Sequence, residues 1–397
     1  MVNFYTALTK QIDDIEAAVR EINEQLNPAK NALKNTVGII HFYYEFVDTG
    51  VCKAIMDALP FELAGCISSF VSSGKEYGDF ALSVTMLTSN EVEFSVDTLE
   101  GVDVKSREQI SGETAQLLQK MCNREKPKMV MPFMIPIHQF SCDDFLDIAN
   151  AQPDPIPLFG TIAFSGTSEG PPYSVGKGKI SASMFSFISF YGSIKPKFNV
   201  TSSFAFDDSF GDIAEVTKSH GSVLESVNGM TALEYLKTSG FVTSEGNVKN
   251  SNIWAIPAIL SYPDGTKVAR SFLGIVDGTE SVFSGGTLKN GAKIKFSYLS
   301  GEKTLTSAEK LVNTLSDETN KDIIIYSCAA RAWSLGAKFT AEVQKIAECA
   351  ELYLKKNNTE LNISVTYSGG EICPVIDNNG KLINTLHNYT MIACSFN

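Results

Sequence analysis

Ser327, Cys328 and Arg331 stand together where an apolar, β-favouring run (Ile323 to Tyr326) gives way to a helical pattern. In that pattern Phe339, Val343, Ile346, Ala350 and Tyr353 share one face. A buried strand feeding a helix through a tight turn is a common way for an α/β protein to build a site. Backbone N–H groups at a helix start attract negative charge. A guanidinium beside them can hold a carboxylate in two parallel hydrogen bonds. Arg331 is thus a candidate carboxylate ligand, or one half of a structural ion pair with Glu371 or another acid. Glu371 follows Gly369 and Gly370 at the end of the run Ile363 to Ser368. Glycines there allow close backbone approach, and a carboxylate so placed could take an ammonium group. Arg331 and Glu371 together suit a zwitterionic amino acid, or simply each other. Asn388 and Thr390, after His387 at the opening of the last apolar run, could add hydrogen bonds to a ligand. Cys328 would be a nucleophile if the helix start and Arg331 lowered its pKa. A catalytic thiol needs an oriented His base, and His41, His138, His220 and His387 fall in no Cys/His signature.

Composition narrows the classes. The 397 residues allow two or three domains or one large duplicated unit, and 44% hydrophobic content is enough for large cores. A net charge of −12 lacks the basic footprint of a nucleic-acid or anionic-membrane binder. The start, MVNFYTALTKQIDD, has no basic region followed by an apolar core, and no apolar run reaches a membrane span. A cytosolic protein is expected. The eight cysteines form no CxxC pair, which disfavours a zinc site or a disulfide framework. Haem would need an axial ligand in an apolar pocket. His41, His138 and His387 are the conceivable axial histidines, without an attachment motif. No GxxxxGK[ST] phosphate loop occurs.

The elements that must position these residues read as mixed α/β. Asp13 and Glu16 fit a capping box ahead of the stripe Ile12, Ile15, Val19, Ile22 and Leu26, and Asn27-Pro28 ends that helix. Residues 37–44, 63–69, 128–137 and 158–165 read as strands, and 107–122 and 142–151 as helices. Residues 81–87 and 92–96 are expected to pair across Ser89-Asn90, and 180–191 to form one long strand. The irregular stretch 195–221 reads as a crossing between halves. Strands at 253–262, 268–276, 293–299, 322–328, 363–368 and 386–396 then echo the first half. The run GTIAFSG ending at Gly166 matches ISVTYSG ending at Gly369. Two similar mixed-sheet α/β halves are expected, with an αββα layered sandwich as one arrangement of them and a ligand in the cleft between.

Several stretches resemble the FIST family. They are YSCAARAWSLG (Tyr326 to Gly336) with the downstream Glu342, YSGGEICP (Tyr367 to Pro374) and LHNYTMIAC (Leu386 to Cys394). The first half agrees through TKQIDDIEAAVREI, VGIIHFYYEFVDTG and LPFELAGCISS with its Gly65-Cys66 pair, and NGMTALEYL opens the second. The resemblance implies an N-terminal FIST domain over 1–222 and a C-terminal one over 223–397. It also implies a non-enzymatic, bacterial, small-molecule-binding sensory module, with an amino acid or related metabolite as ligand. Occupancy would be signalled to a separate protein such as a histidine kinase or chemoreceptor. A haem-based nitric oxide sensor regulating a histidine kinase or cyclic-di-nucleotide enzyme is the alternative, and a thiol enzyme a further one. The candidate site residues are Cys328, Arg331, Glu371 and Asn388, with Cys66 and Ser165 from the first half.

Overall fold

The computed structural model describes residues 2–74, 76–164, 170–206, 209–242, 252–263, 265–276, 278–316, 321–358, 360–377 and 380–396. Strand β1 (Asn3–Thr9) leads to helix α1 (Ile15–Leu26). The helix is capped by Asp14 rather than Asp13: the Ala17 N–H donates to the Asp14 carboxylate at 2.9 Å. Ala18, Ile22 and Leu26 of α1 are fully buried, as the apolar stripe requires. Then come α2 (Pro28–Asn31), β2 (Asn35–Phe42), α3 (Glu45–Asp48), α4 (Val51–Ala58) and β3 (Glu62–Ile67). A hairpin, β4 (Phe70–Ser73) and β5 (Glu76–Asp79), and β6 (Leu82–Ser89) complete this stretch.

The same succession recurs. It runs β7 (Glu93–Glu100), α5 (Arg107–Met121), β8 (Met129–Met134), α6 (Cys142–Asn150) and β9 (Gly160–Ile162), then the hairpin β10 (Ser174–Gly176) and β11 (Lys179–Ser181), then β12 (Met184–Tyr191). A third round opens with β13 (Lys197–Ser202) and is interrupted by an insert. The insert holds β14 (Phe210–His220), β15 (Val223–Val227), β16 (Met230–Thr231), α7 (Ala232–Thr238), β17 (Ala258–Ser261), β18 (Lys267–Arg270), β19 (Phe272–Ile275), β20 (Val282–Ser284) and β21 (Lys293–Phe296). The round resumes with α8 (Gly301–Ser316), β22 (Asp322–Cys328), α9 (Ala329–Ser334), α10 (Ala341–Asn357) and β23 (Asn362–Ser368). It closes with the hairpin β24 (Glu371–Ile376) and β25 (Leu382–His387), and β26 (Thr390–Ser395).

Among the described residues three six-stranded sheets result, ordered β1-β6-β2-β3-β10-β11, β7-β12-β8-β9-β24-β25 and β13-β26-β22-β23-β4-β5. In each, one central pair is parallel (β2/β3, β8/β9, β22/β23) and its neighbours are antiparallel. Each hairpin leaves its own round and adds to the sheet of another. β4–β5 joins the third sheet, β10–β11 the first and β24–β25 the second. The pattern is cyclic and threefold. Its axis passes the central strands, where the His41 ring meets Phe133 at 5.7 Å and Tyr326 at 5.5 Å, both edge-on. One core cluster, including Ile40, Phe42, Phe133, Phe187, Tyr326 and Ile392, is shared by all three sheets. The outer face of the third sheet packs on α8 and α10 through Leu311, Ile323, Ile325, Val343 and Ile346. Helices outside and mixed sheets sharing one core inside give the α/β class. The insert is a separate antiparallel unit with its own core of Val216, Leu224, Leu236, Phe272 and Phe296.

Several expectations are corrected. The repeat has three members rather than two, although β9 and β23, matched from sequence, do hold equivalent places. β6 pairs with β1 and β2, and β7 with β12, so the two do not form a hairpin with each other. Residues 180–191 are split between β11 and β12, and the stretch expected to be a crossing contains β13 and β14. The last apolar run is broken at Asn388-Tyr389 into β25 and β26. Tyr389 takes a left-handed conformation there (φ 62°). Strands from both sides of residue 222 share the second and third sheets.

Candidate functional site

β22 is buried from Ile323 to Cys328 and delivers Ser327, Cys328 and Arg331 to the seam between the third sheet and the insert. The helix that follows at once is not the long one. α9 has six residues, and the long α10 begins at Ala341. Arg331 therefore lies inside a short helix with little macrodipole to offer an anion.

Arg331 is fully buried, and its partner is Glu342 of α10, not Glu371. Its Nε and Nη2 donate to Glu342 Oε1 at 3.0 and 2.6 Å, and Nη2 also to Thr304 O and Ser307 Oγ at 3.1 and 2.9 Å. Glu342 Oε2 accepts from Ser327 Oγ at 2.7 Å and Tyr367 OH at 2.9 Å. The expected two-pronged grip on a ligand is thus occupied by a protein carboxylate. Nη1 alone has no hydrogen-bond partner.

Glu371 opens β24 in the second sheet, opposite Thr161 on one side and His387 on the other. Its side chain is fully buried and accepts from Thr390 Oγ1 at 2.8 Å, while Oε1 has no partner. Burial pushes its carboxyl up to about 8, against weaker opposing pulls from Thr390, Ser368 and Arg331. Cys328 is close by. Burial and then the Glu371 carboxylate raise its thiol well above the usual range, against hydrogen bonds from the Tyr389 and Ala330 backbone. Such a thiol is a poor nucleophile.

Asn388 and Tyr389 form the turn between β25 and β26. Asn388 is 3% exposed, its amide donates to His387 O at 3.0 Å, and its Oδ1 has no partner. Tyr389 donates from its hydroxyl to Trp254 O of the insert at 2.8 Å, and Trp254 meets Trp333 of α9 edge-on at 4.5 Å. A left-handed tyrosine costs about 1–2 kcal/mol, which the insert's grip offsets. Over this turn lies a cleft of about 330 Å³ between β18, the end of β13 and the β25–β26 turn. Asn388, His387 and Thr390 line it, with Phe204, Phe206 and Lys267. Glu371, Thr385 and Val375 share one face of the β24–β25 ladder, and Thr385 and Val375 are also in the lining. Glu371 is buried behind this lining, and Thr390, which belongs to the lining, donates to it. Its size is at the lower end of small-molecule sites.

The structure thus brings Cys328, Arg331, Glu371 and Asn388 into one neighbourhood. Cys66 is elsewhere, near the axis: its carbonyl is 3.0 Å from His41 Nδ1, and burial raises its thiol. Ser165 lies outside the described residues. Thr390, read from sequence as a hydrogen-bond donor to a ligand, donates instead to Glu371. Sequence reasoning missed Trp254 and Lys267, which the insert contributes; no local signal marks them, because they arrive from other elements.

A larger cleft of about 1040 Å³ separates the insert from α5 and α6, with Arg107, His138, Ser141, His220, Leu273 and Phe283 on its walls. Among the described residues no cluster of His, Cys, Asp and Glu could hold a metal ion. The candidate axial histidines fit haem poorly. His41 is buried with Nδ1 at Cys66 O and Nε2 3.3 Å from Tyr326 OH, and His387 Nε2 is 3.3 Å from Cys373 O. His138 sits against Phe283 on the open wall of the larger cleft.

Family models match residues 37–230 as a FIST N domain and residues 232–374 as a FIST C domain. The chain belongs to the FIST family, whose domains are sensory, ligand-binding modules of signal transduction rather than catalytic ones. A solved structure, PurLQS from Thermotoga maritima, aligns over 100% of this chain and 72% of its own at 9% identity and TM-score 0.22, a likeness too slight to bear on the fold. No curated protein matches. Among the described residues no helix is long and apolar enough to cross a membrane.

Proposed function

We propose that the cleft over the β25–β26 turn binds a small polar metabolite, an amino acid or close relative, and that the protein is a bacterial cytoplasmic sensor. One observation supports this reading above others. Asn388 Oδ1 on the cleft lining and Glu371 Oε1 behind Thr390 are buried and lack partners, and Arg331 Nη1, on a guanidinium within electrostatic reach of Glu371, is a third such group. Each orphaned group costs about 1–3 kcal/mol, and native proteins keep few of them. One donor and two acceptors left open is the complement of a small zwitterion. Occupancy favours one arrangement of the turn and the insert that grips it, and so shifts their populations. A separate signalling protein, such as a histidine kinase or chemoreceptor, reads that arrangement.

Thermal melting against the common amino acids at millimolar concentration tests the reading. A binder at a hundred times its dissociation constant adds about 2.7 kcal/mol and raises Tm. Asn388→Ala should weaken that response. A panel in which no amino acid moves Tm would sink the amino-acid assignment.

A further inference from the structure

The threefold repeat supplies an internal control for the site. On the axis, His41, Phe133 and Tyr326 occupy equivalent places, and their parallel-strand partners are Cys66, Thr161 and Thr366. The incoming hairpin strand sets Ser174 beside Cys66, Glu371 beside Thr161 and Val71 beside Thr366. The fold therefore builds one position three times, as Val71, Ser174 and Glu371. Val71 is buried against Leu8 and Ala81. Ser174 Oγ is 2.9 Å from Ser186 Oγ and 3.2 Å from Gly65 O, so it is satisfied. Glu371 alone is ionisable, fully buried and left with a free oxygen. At the same remove beyond the axis, the first repeat buries Phe46 and the third Arg331. The fold is thus satisfied by an apolar or neutral residue at these positions, and a buried carboxyl there costs stability.

We infer that Glu371 is a proton-linked receptor for a primary ammonium group, which it binds in exchange for its own proton, so that acid releases the ligand. This rests on the ligand-binding reading of the cleft and adds the ligand's chemical class and its regulation. The step balances simply. The neutral carboxyl gives its proton to solvent, no covalent bond to carbon changes, and the ammonium becomes the counter-ion of the carboxylate. Thr390 Oγ1 holds one oxygen and Oε1 is left for the cation. The groups facing Glu371 permit the exchange. Arg331 from α9 is already neutralised by Glu342. His387 opposite is held neutral down to about 4 by burial, with Arg270 of the insert adding to that pull. The Cys328 thiol on β22 stays protonated. Glu371 is the group left to titrate near neutrality, with its carboxyl raised to about 8.

The probes are methylammonium, tetramethylammonium as a cation without N–H donors, and the amino acids, each titrated by calorimetry and melting between pH 6 and 9. Methylammonium should bind about tenfold more tightly for each pH unit from 6 to 8. It should release about one proton in a two-buffer comparison of binding heats, and it should lose its effect in Glu371→Gln. Tetramethylammonium should do nothing. The proton count needs no variant, so it stands even if Glu371→Gln fails to fold. An amino acid that binds wild type and Glu371→Gln equally, without pH dependence, overturns this inference and leaves the sensor reading standing. A Glu371-dependent methylammonium response without amino-acid binding does the reverse. Silence from every probe ends both.

Discussion

Replacing Glu371 by glutamine should make the unliganded protein more stable, by an amount that depends on pH. Glutamine keeps the shape and an acceptor for Thr390 Oγ1, and it has no proton to lose. In the wild type the folded carboxyl holds its proton up to about 8, whereas the unfolded one loses it near 4.5. Between those values the folded state binds more protons, so stability falls as pH rises. Below 4.5 both states are neutral and the site contributes no difference. At about 1.4 kcal/mol per pH unit, the gap amounts to about 3 kcal/mol at pH 7 and about 4 kcal/mol at pH 8, where half of the folded carboxyls have ionised. Urea unfolding of both proteins at pH 4.5, 7 and 8 measures this directly. The histidines are common to both proteins and cancel in the difference. The curves should coincide at pH 4.5 and separate steadily towards pH 8. A stability difference of constant size across that range would refute the assignment of a buried neutral carboxyl to Glu371.

Acid should act on the core through His41, whose pKa burial lowers to about 4. The unfolded ring protonates near 6.5, so stability is complete above that value and falls by about 3 kcal/mol as pH drops to 4, measurable as Tm against pH. His387 adds in the same direction, by less because it is partly exposed. Arg331→Met strands Glu342 and its two hydroxyl donors, and should cost about 3–5 kcal/mol in urea unfolding. Arg331→Met with Glu342→Leu should recover part of that loss, and a double variant as unstable as the single one would count against a lone uncompensated charge. Hemin added to the purified protein should produce no saturable Soret band at one haem per chain; a saturable band lost in His138→Ala would overturn the reading of that histidine.

How much of this was legible in the sequence depends on distance along the chain. The junction at Ile323 to Phe339 was legible because strand, turn and the onset of helix are contiguous, and the apolar run names the buried strand. Glu342 stood out as a family position, but nothing local said that it, rather than Glu371, would take Arg331. The supposed hairpin at Ser89-Asn90 shows how a good turn signal is overridden. β6 finds longer ladders with β1 and β2, and β7 with β12. The break at Asn388-Tyr389 was hidden because tyrosine rarely takes a positive φ and the groups that hold it, Trp254 and Ser203, are remote in sequence. The threefold repeat was hidden for another reason: equivalent positions carry different chemistry, as Val71, Ser174 and Glu371 illustrate.

The hairpin exchange sets a timetable for the chain as it is made. Ser68, at the entry to the β4–β5 hairpin, donates to Tyr367 O, a partner 299 residues later. At about 5–20 residues per second of synthesis, that partner emerges roughly 15–60 s after Ser68. Throughout the interval the first hairpin has no sheet to join, and β3 lacks β10 until the second round is made. Bare strand edges invite wrong partners, so nascent chains of this protein are at their most adhesive while more than half of the sequence is already outside the ribosome. The last hairpin, β24–β25, attaches to a sheet begun near residue 93, and only when β26 then enters between β13 and β22 are all three walls around His41 complete.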